Sequence, residues 1–144
     1  KLEGFHRFIR REPIGVVLDI AAWNYPLLIA VNIVVPAILA GNTVAIKHSS
    51  ITPLCAKHFE DAFKNTLPSE GLVTALILDH ATTDAIIRSG MIHHLAFTGS
   101  VVGGKKINES ASGQCIDVGL ELGGKDPAYI REDADLDLTV PNGI

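Results

Sequence analysis

Short apolar runs rich in β-branched residues alternate along this chain with longer stretches whose apolar positions recur every three or four residues. The first kind reads as buried strands and the second as helices. Residues 14–20, just after Pro13, predict a first strand. A turn over 21–26 leads into an apolar run, 27–39, that predicts a helix disturbed at Pro36 and ended at Gly41-Asn42. Residues 43–47 predict a second strand. Thr52 then stands as the cap of a helix whose first position is Pro53. Cys55, Phe59, Ala62 and Phe63 share one face of that helix, and Lys57–Asp61 and Glu60–Lys64 are spaced as ion pairs on the rest. After a loop over 67–71 come a third strand at 73–78 and a helix from Thr82 or Thr83 to Gly90. A fourth strand at 93–97, a helix at 101–110 and a fifth strand at 116–120 complete the series. This alternation predicts an α/β fold, an open parallel sheet with helices on both faces.

Composition narrows the class. The chain has 144 residues, 47% of them hydrophobic, with a mean hydropathy of +0.30. That is material for one domain with a substantial core, and it excludes intrinsic disorder. Twelve basic residues against sixteen acidic ones give a net charge of −4, so there is no basic footprint for nucleic acid or an anionic membrane. The most apolar stretch, 27–40, falls short of the roughly 20 residues of a membrane span and is interrupted by Asn32 and Pro36. Two cysteines, Cys55 and Cys115, make no disulfide framework and point to a reducing compartment, the cytoplasm first. No signal peptide is visible behind Lys1, and the chain stops at Ile144 as a new element starts, so it reads as cut at both ends. The six histidines supply no metal motif: there is no H-E-x-x-H, and Cys55-x-x-His58 lacks a second pair. His93 and His94 point to opposite faces of a strand.

In open α/β sheets ligands bind beyond the carboxyl ends of the strands. Three loops predicted there carry unusual residues: Trp23-Asn24, Phe97-Thr98-Gly99-Ser100, and Glu121-Leu122-Gly123-Gly124-Lys125. The second runs from a strand into a helix, where free N–H groups and the helix dipole suit a phosphate. The third sets an acid beside two glycines, where backbone can approach a ligand closely. No G-x-G-x-x-G occurs. Gly99–Lys105 fits G-x-x-x-x-G-K, but Lys106 replaces the Ser or Thr that would hold Mg²⁺; Gly119–Lys125 fits it with Asp126 in that place. Two incomplete matches do not make a P-loop.

Together these motifs carry a resemblance. Trp23-Asn24-Tyr25-Pro26, Lys47, the Phe97–Ser100 loop and Glu121-Leu122-Gly123-Gly124-Lys125 stand in the order and approximate spacing of the NAD(P)-dependent aldehyde dehydrogenases. Asp126-Pro127-Ala128 and Asp133-Ala134-Asp135-Leu136-Asp137 also resemble the family's segment on the carboxyl side of that glutamate, so the similarity runs from about Phe8 to Asp137. The resemblance implies an incomplete Rossmann-like cofactor-binding domain over residues 1–144. It further implies NAD or NADP as cofactor and oxidation of a small aldehyde to a carboxylic acid through a cysteine thiohemiacetal and thioester. A homo-oligomer is implied for the complete protein.

Residue by residue, Glu121 resembles the family's general base, a task for a carboxylate whose pKa is raised by partial burial. Asn24 resembles the oxyanion donor. Ile20, Ala22 and Trp23 match positions lining the cofactor cleft, and Lys47 matches the lysine on the adenosine ribose, with Ser50 three residues on. Gly99 and Ser100, with Gly104 behind them, match the loop and helix that meet the pyrophosphate; Leu122 and Gly123 flank the base on the cofactor side. From the residues alone each keeps a plainer alternative. These are a surface carboxylate, a turn asparagine, a core tryptophan, a snorkelling lysine and a helix cap.

Three departures stand out. Ser50 replaces the glutamate of many NAD-preferring members, which removes a carboxylate that would repel a 2′-phosphate and implies tolerance of NADP. Residues 78–82 replace the family's Gly-rich turn, which leaves the adenine wall open. Ala22 replaces the usual proline. The family's nucleophilic cysteine would lie past Ile144. Cys55 reads as a helix-face core residue. Cys115, although preceded by Gly113-Gln114 as the nucleophile's setting would suggest, falls before Glu121; both read as small buried hydrophobes. The chain alone is therefore expected to be inactive. The alternative is a non-catalytic module that binds a nucleotide or a partner.

Overall fold

Strand and helix alternate without exception from the first element to the last in the computed structural model, which describes residues 4–66, 70–124, 127 and 129–143. The order is β1 (Val16–Ala21), α1 (Pro26–Leu39), β2 (Thr43–His48), α2 (Leu54–Thr66) and β3 (Val73–Ala75). Then come α3 (His80–Arg88), β4 (His94–Gly99), α4 (Val101–Ala111), β5 (Asp117–Leu122) and α5 (Leu136–Gly143). The five strands form one sheet in the order β3-β2-β1-β4-β5, and every pairing is parallel. The chain therefore builds outward from β1 to β3, crosses back, and builds outward again on the other side through β4 and β5. The switch lies between β1 and β4.

Helices cover both faces, as the pattern predicted. On one face Val17, Ala21, Val44 and Ile46 pack against Ala30 and Val34 of α1 and Ala56 of α2. On the other, Leu18, Ile20 and Leu95 pack against Ile87 of α3 and Ala111 of α4. A strand buried on both sides needs apolar residues at consecutive positions, which is why β1 reads as a run and not as an alternation. Each fully buried side chain such as Leu18 or Ile46 contributes roughly 1.5–3 kcal/mol.

The element ends show where local chemistry overrode the pattern. Residue 14 was expected to open β1, but the strand starts at Val16. The Asn42 side-chain oxygen accepts the N–H groups of Ile14 (2.7 Å) and Gly15 (3.0 Å) and clamps that segment outside the ladder. Pro36 sits inside α1 without ending it; Pro36 and Asn32, whose carbonyl loses its partner, both face solvent. The helix stops instead at Gly41, φ +86°. There the Gly41 N–H meets the Ile38 carbonyl at 2.9 Å and the Asn42 N–H meets that of Ala37 at 3.0 Å, a Schellman end.

Thr52 does not cap α2 through its side chain. Its carbonyl takes the Cys55 N–H at 3.2 Å, its hydroxyl is buried without a partner among the described residues, and the helix begins at Leu54. The inner face of α2 uses Ala56, Phe59 and Phe63, while Ala62 is exposed. Lys57 pairs with Asp61 at 3.2 Å as expected, but Glu60 turns to Lys57 and to the Ala75 N–H. β3, an edge strand, ends at Ala75. α3 starts earlier than expected because Asp79, not a threonine, caps it, accepting the Thr82 N–H at 2.7 Å. β4 and β5 run two residues further than expected, to Gly99 and Leu122, and the new element expected near the end of the chain is the helix α5.

One core residue is out of character. Asp19 lies mid-strand in β1, in register with Ile46 and Ala96, fully buried, and neither carboxyl oxygen meets a hydrogen-bond partner among the described residues. Burial pushes its pKa up to about 8. The folded state thus holds this proton more tightly than the unfolded chain. Its stabilising effect is complete below the unfolded value and is lost as pH rises through the folded one. Urea denaturation should therefore show stability falling by at least about 2 kcal/mol between pH 4 and pH 8. Asp19→Asn, which cannot ionise, should remove most of that slope; an unchanged slope would refute the assignment.

Candidate functional site

Because the loops leaving β1 and β4 turn to opposite faces of the sheet, the carboxyl ends of these strands diverge and a crevice opens above them. A cleft of about 1240 Å³ occupies it, bounded by the ends of β1, β2, β4 and β5 and by α3 and α4. A smaller hollow of about 240 Å³, lined by Glu60, Lys64 and Gly71, lies beside β3 away from these strand ends. Every residue that the sequence singled out for the site lines the larger cleft, with the exception of Gly104.

β1 delivers Ile20, Ala22, Trp23 and Asn24. The turn is sharp because Tyr25 adopts a left-handed conformation (φ 51°, ψ 49°), an uncommon choice for a side chain with a Cβ. Pro26 then starts α1, and the Tyr25 carbonyl accepts the Ile29 N–H at 3.0 Å. Asn24 is held exposed at the cleft, and Trp23 is 58% exposed there and not part of the core.

β2 delivers Lys47, a buried cation at 5% exposure. Its ammonium donates to the His48 carbonyl at 3.3 Å, and burial lowers its pKa. An ammonium carries three donors, so two remain for a ligand. Ser50 comes next, exposed, in the turn after the strand.

β4 and β5 supply the other wall. The Ser100 hydroxyl accepts the Gly103 N–H at 3.1 Å, so it caps α4; the N–H groups of Val101 and Val102 precede the first intrahelical bonds and suit an anion. The ring of Phe97 lies against this turn so closely that a Cβ at Gly99 or Gly103 would come within 2.6 or 2.8 Å of it. The Gly123 N–H reaches back to the Gly99 carbonyl at 3.3 Å and ties the two loops together. Glu121 stands exposed on β5, opposite Thr98 in register. The partial burial that base chemistry requires is not supplied by the described residues around it. Lys125, Asp126 and Ala128 of the sequence motifs lie outside the described residues.

Gly104 is the exception because it is buried behind the wall. A Cβ there would come within 2.6 Å of the Leu122 side chain, so its hydrogen lets α4 approach β5 and leaves Leu122 its place beside the cleft. The sequence missed the α3–α4 end of the cleft. His80, Asp84 and Arg88 line it from α3, and Lys106 and Ser110 from α4. Asp84 accepts from the Ser110 hydroxyl and pairs with Arg88 at 2.9 Å, joining the two helices. No periodic signal marks such residues, because the pattern identifies the buried face of each helix and not its flank. Cys55 is half-buried and Cys115 is exposed in a left-handed turn (φ 53°), so the expectation that both are buried fails for Cys115. Neither lines the cleft. Among the described residues there is no group of three or more His, Cys, Asp or Glu that could hold a metal ion. No described helix is long and apolar enough to cross a membrane.

A parallel sheet with a cleft at its switch point defines the class, an α/β protein that takes its ligand beyond the strand ends. The family is narrower. The sequence profile of the aldehyde dehydrogenase family matches residues 2–144, and the chain belongs to that family. Among similar solved structures is a succinic semialdehyde dehydrogenase from Streptococcus pyogenes, in complex with NADP⁺. It is 32% identical with a TM-score of 0.78, over 88% of this chain and 28% of that one. An aldehyde dehydrogenase from Bartonella henselae is 40% identical with a TM-score of 0.75, over 88% and 27%. A betaine aldehyde dehydrogenase from Staphylococcus aureus, in complex with NAD⁺, is 37% identical with a TM-score of 0.73, over 90% and 26%. The chain thus spans little more than a quarter of the length of the structures it matches.

The packing at Gly104 can be tested directly. Gly104→Ala should cost about 1–3 kcal/mol in urea denaturation, the usual penalty for overpacking, by forcing Leu122 aside. The same substitution at Gly113, where a Cβ meets nothing within 4 Å, should change stability by less than about 0.5 kcal/mol.

Proposed function

We propose that residues 1–144 are part of the cofactor-binding domain of an NAD(P)-dependent aldehyde dehydrogenase that oxidises an aldehyde to a carboxylic acid. The observation that carries this reading is the convergence of Asn24, Lys47, Ser100 and Glu121, from four different strand ends, on one cleft. The residues present fit a dinucleotide. The start of α4 offers N–H groups to a pyrophosphate, and Lys47 has donors left for a ribose. Ile20, Ala22 and Trp23 form one side of the nicotinamide end, with Leu122 and Gly123 opposite.

When bound, the cofactor supplies the hydride acceptor. Asn24 donates its amide N–H to the aldehyde oxygen as negative charge grows on it, a contribution of roughly 3–4 kcal/mol for one preorganised donor. Glu121 takes a proton from the water that releases the acid. The thiol that attacks the aldehyde is neither Cys55 nor Cys115, because neither lines the cleft. The complete protein works as a homo-oligomer in a reducing compartment, which keeps such a thiol available.

Two expectations test this. The 144-residue chain should bind NAD⁺ or NADP⁺, with quenching of its single tryptophan, Trp23, and produce no NAD(P)H from any aldehyde. Sustained turnover by the chain alone would contradict the reading. In the complete enzyme, kcat/KM for NADP⁺ should lie within about tenfold of that for NAD⁺, because no carboxylate stands at Ser50. Ser50→Glu should disfavour NADP⁺ by a further tenfold or more, on the order of 1.4 kcal/mol. A strong preference of the unmodified enzyme for NAD⁺ would sink the claim.

A further inference from the structure

Asp19 is not the only core residue with polar atoms left over. Among the described residues, buried side-chain nitrogen and oxygen atoms without a hydrogen-bond partner belong to Asp19, His48 and Thr52. These lie in β1, at the last position of β2 and in the turn between β2 and α2. Leaving a buried polar group unpaired is costly, so several from one region of a fold point to a partner they share. Asp19 and His48 are neighbours by strand register. Across the parallel β1–β2 pair Asp19 stands opposite Ile46, and Ala21 stands opposite His48. Alternate residues of a strand share a face, so all four belong to the side of the sheet covered by α1 and α2. His48 is fixed there by stacking on Phe59 of α2, with ring centroids 6.4 Å apart and planes at 22°.

The spacing decides what kind of partner fits. Strands about 4.8 Å apart, rising about 3.3 Å per residue, put the Cα atoms of Asp19 and His48 about 8 Å apart. A direct hydrogen bond would need the two tips within about 3 Å, whereas one water molecule bonded to both spans roughly 5 Å. Room is left for it, because Ala21 stands between them on β1 and the helices bring only Ala30 and Ala56 to this face beside larger aliphatic residues. The protonation states are complementary. Burial keeps the proton on Asp19 up to about pH 8. Burial, and then the neighbouring Lys47 ammonium, lower the pKa of His48 and keep its ring neutral. A protonated carboxyl donates its O–H and a neutral imidazole offers one bare nitrogen, so a water can accept from the first and donate to the second. No charged side chain competes from the helices: α1 carries none, and Lys57, Glu60 and Asp61 of α2 pair with one another.

We propose that Asp19 and His48 form an internal water site, with one water molecule held between the carboxyl and the imidazole under α1 and α2. The site is separate from the cleft, which neither residue lines, although each adjoins a residue that does, Ile20 and Lys47. Its water is enclosed on folding and ties β1 to β2 through their side chains, behind the cleft wall, where the backbone ladder already joins them.

A crystal structure of the complete, unmodified protein at a resolution that reveals ordered water is the direct test. It should show one water within about 3.2 Å of both a carboxyl oxygen of Asp19 and a ring nitrogen of His48. A direct bond between the two side chains, or a dry gap between them, would overturn the inference. Asp19→Asn keeps a donor in place and should retain the water; Asp19→Leu should expel it. Urea denaturation of Asp19→Leu, His48→Phe and the double variant gives a second measure. The unfolding equilibrium constant of the double variant should differ about tenfold from the product of the single effects, because either replacement alone orphans the other group. Single effects that multiply to within twofold would show that the two residues share nothing.

Discussion

Burial of β1 on both faces and both edges is the constraint on which the site depends. β1 pairs in parallel with β2 on one side and β4 on the other, and helices close it above and below. A parallel neighbour can be reached only by a crossover, and right-handed crossovers in opposite directions from the central strand carry their loops to opposite faces. The strand ends that separate at this point are those of β1 and β4, and between them lies the space that Asn24, Gly99 and Ser100 share. The same enclosure explains why Asp19 is so far from an ordinary aspartate: one residue before the cleft-lining Ile20, it has no route to bulk water.

The cleft walls are made by letting backbones come close. Phe97 occupies the space that a side chain at Gly99 or Gly103 would need, and Leu122 occupies that of Gly104. One aromatic and one aliphatic side chain and three missing Cβ atoms therefore set the position of the α4 start relative to β4 and β5. This geometry presents backbone N–H groups and not side chains to a ligand, which suits an anion whose oxygens take several weak donors at once. Lys47 adds the one buried full charge among the described residues of the cleft, on a side chain with donors to spare.

Much of this was legible in the residues. All five strands and the four helices between them come from apolar runs and periodicity, and the cleft-lining Trp23, Asn24, Lys47, Ser100 and Glu121 from motifs placed at strand ends. The misses have a common physical origin. The start of β1 is decided by the side chain of Asn42, 27 residues away, and the start of α3 by Asp79 competing with two threonines for the same cap. Gly104 was given to the ligand because a glycine next to a phosphate loop can serve either backbone approach or packing. Only the place of Leu122 separates the two. The α3–α4 wall combines polar residues from helix flanks, and no pattern local to either helix reports that they meet.

The two ends of the cleft are not equally finished. On the side of β2, α3 and α4, Lys47 is buried, Ser100 is committed to its cap, and Asp84 already has both its partners. On the other side Asn24 and Glu121 are exposed, and β5, which carries Glu121, is exposed along most of its length despite belonging to a parallel sheet. A parallel strand normally has both faces covered. The uncovered face and the exposed Glu121 coincide on one strand. A surface packed on β5 would therefore complete the burial of the sheet and cover the Glu121 side chain in one step.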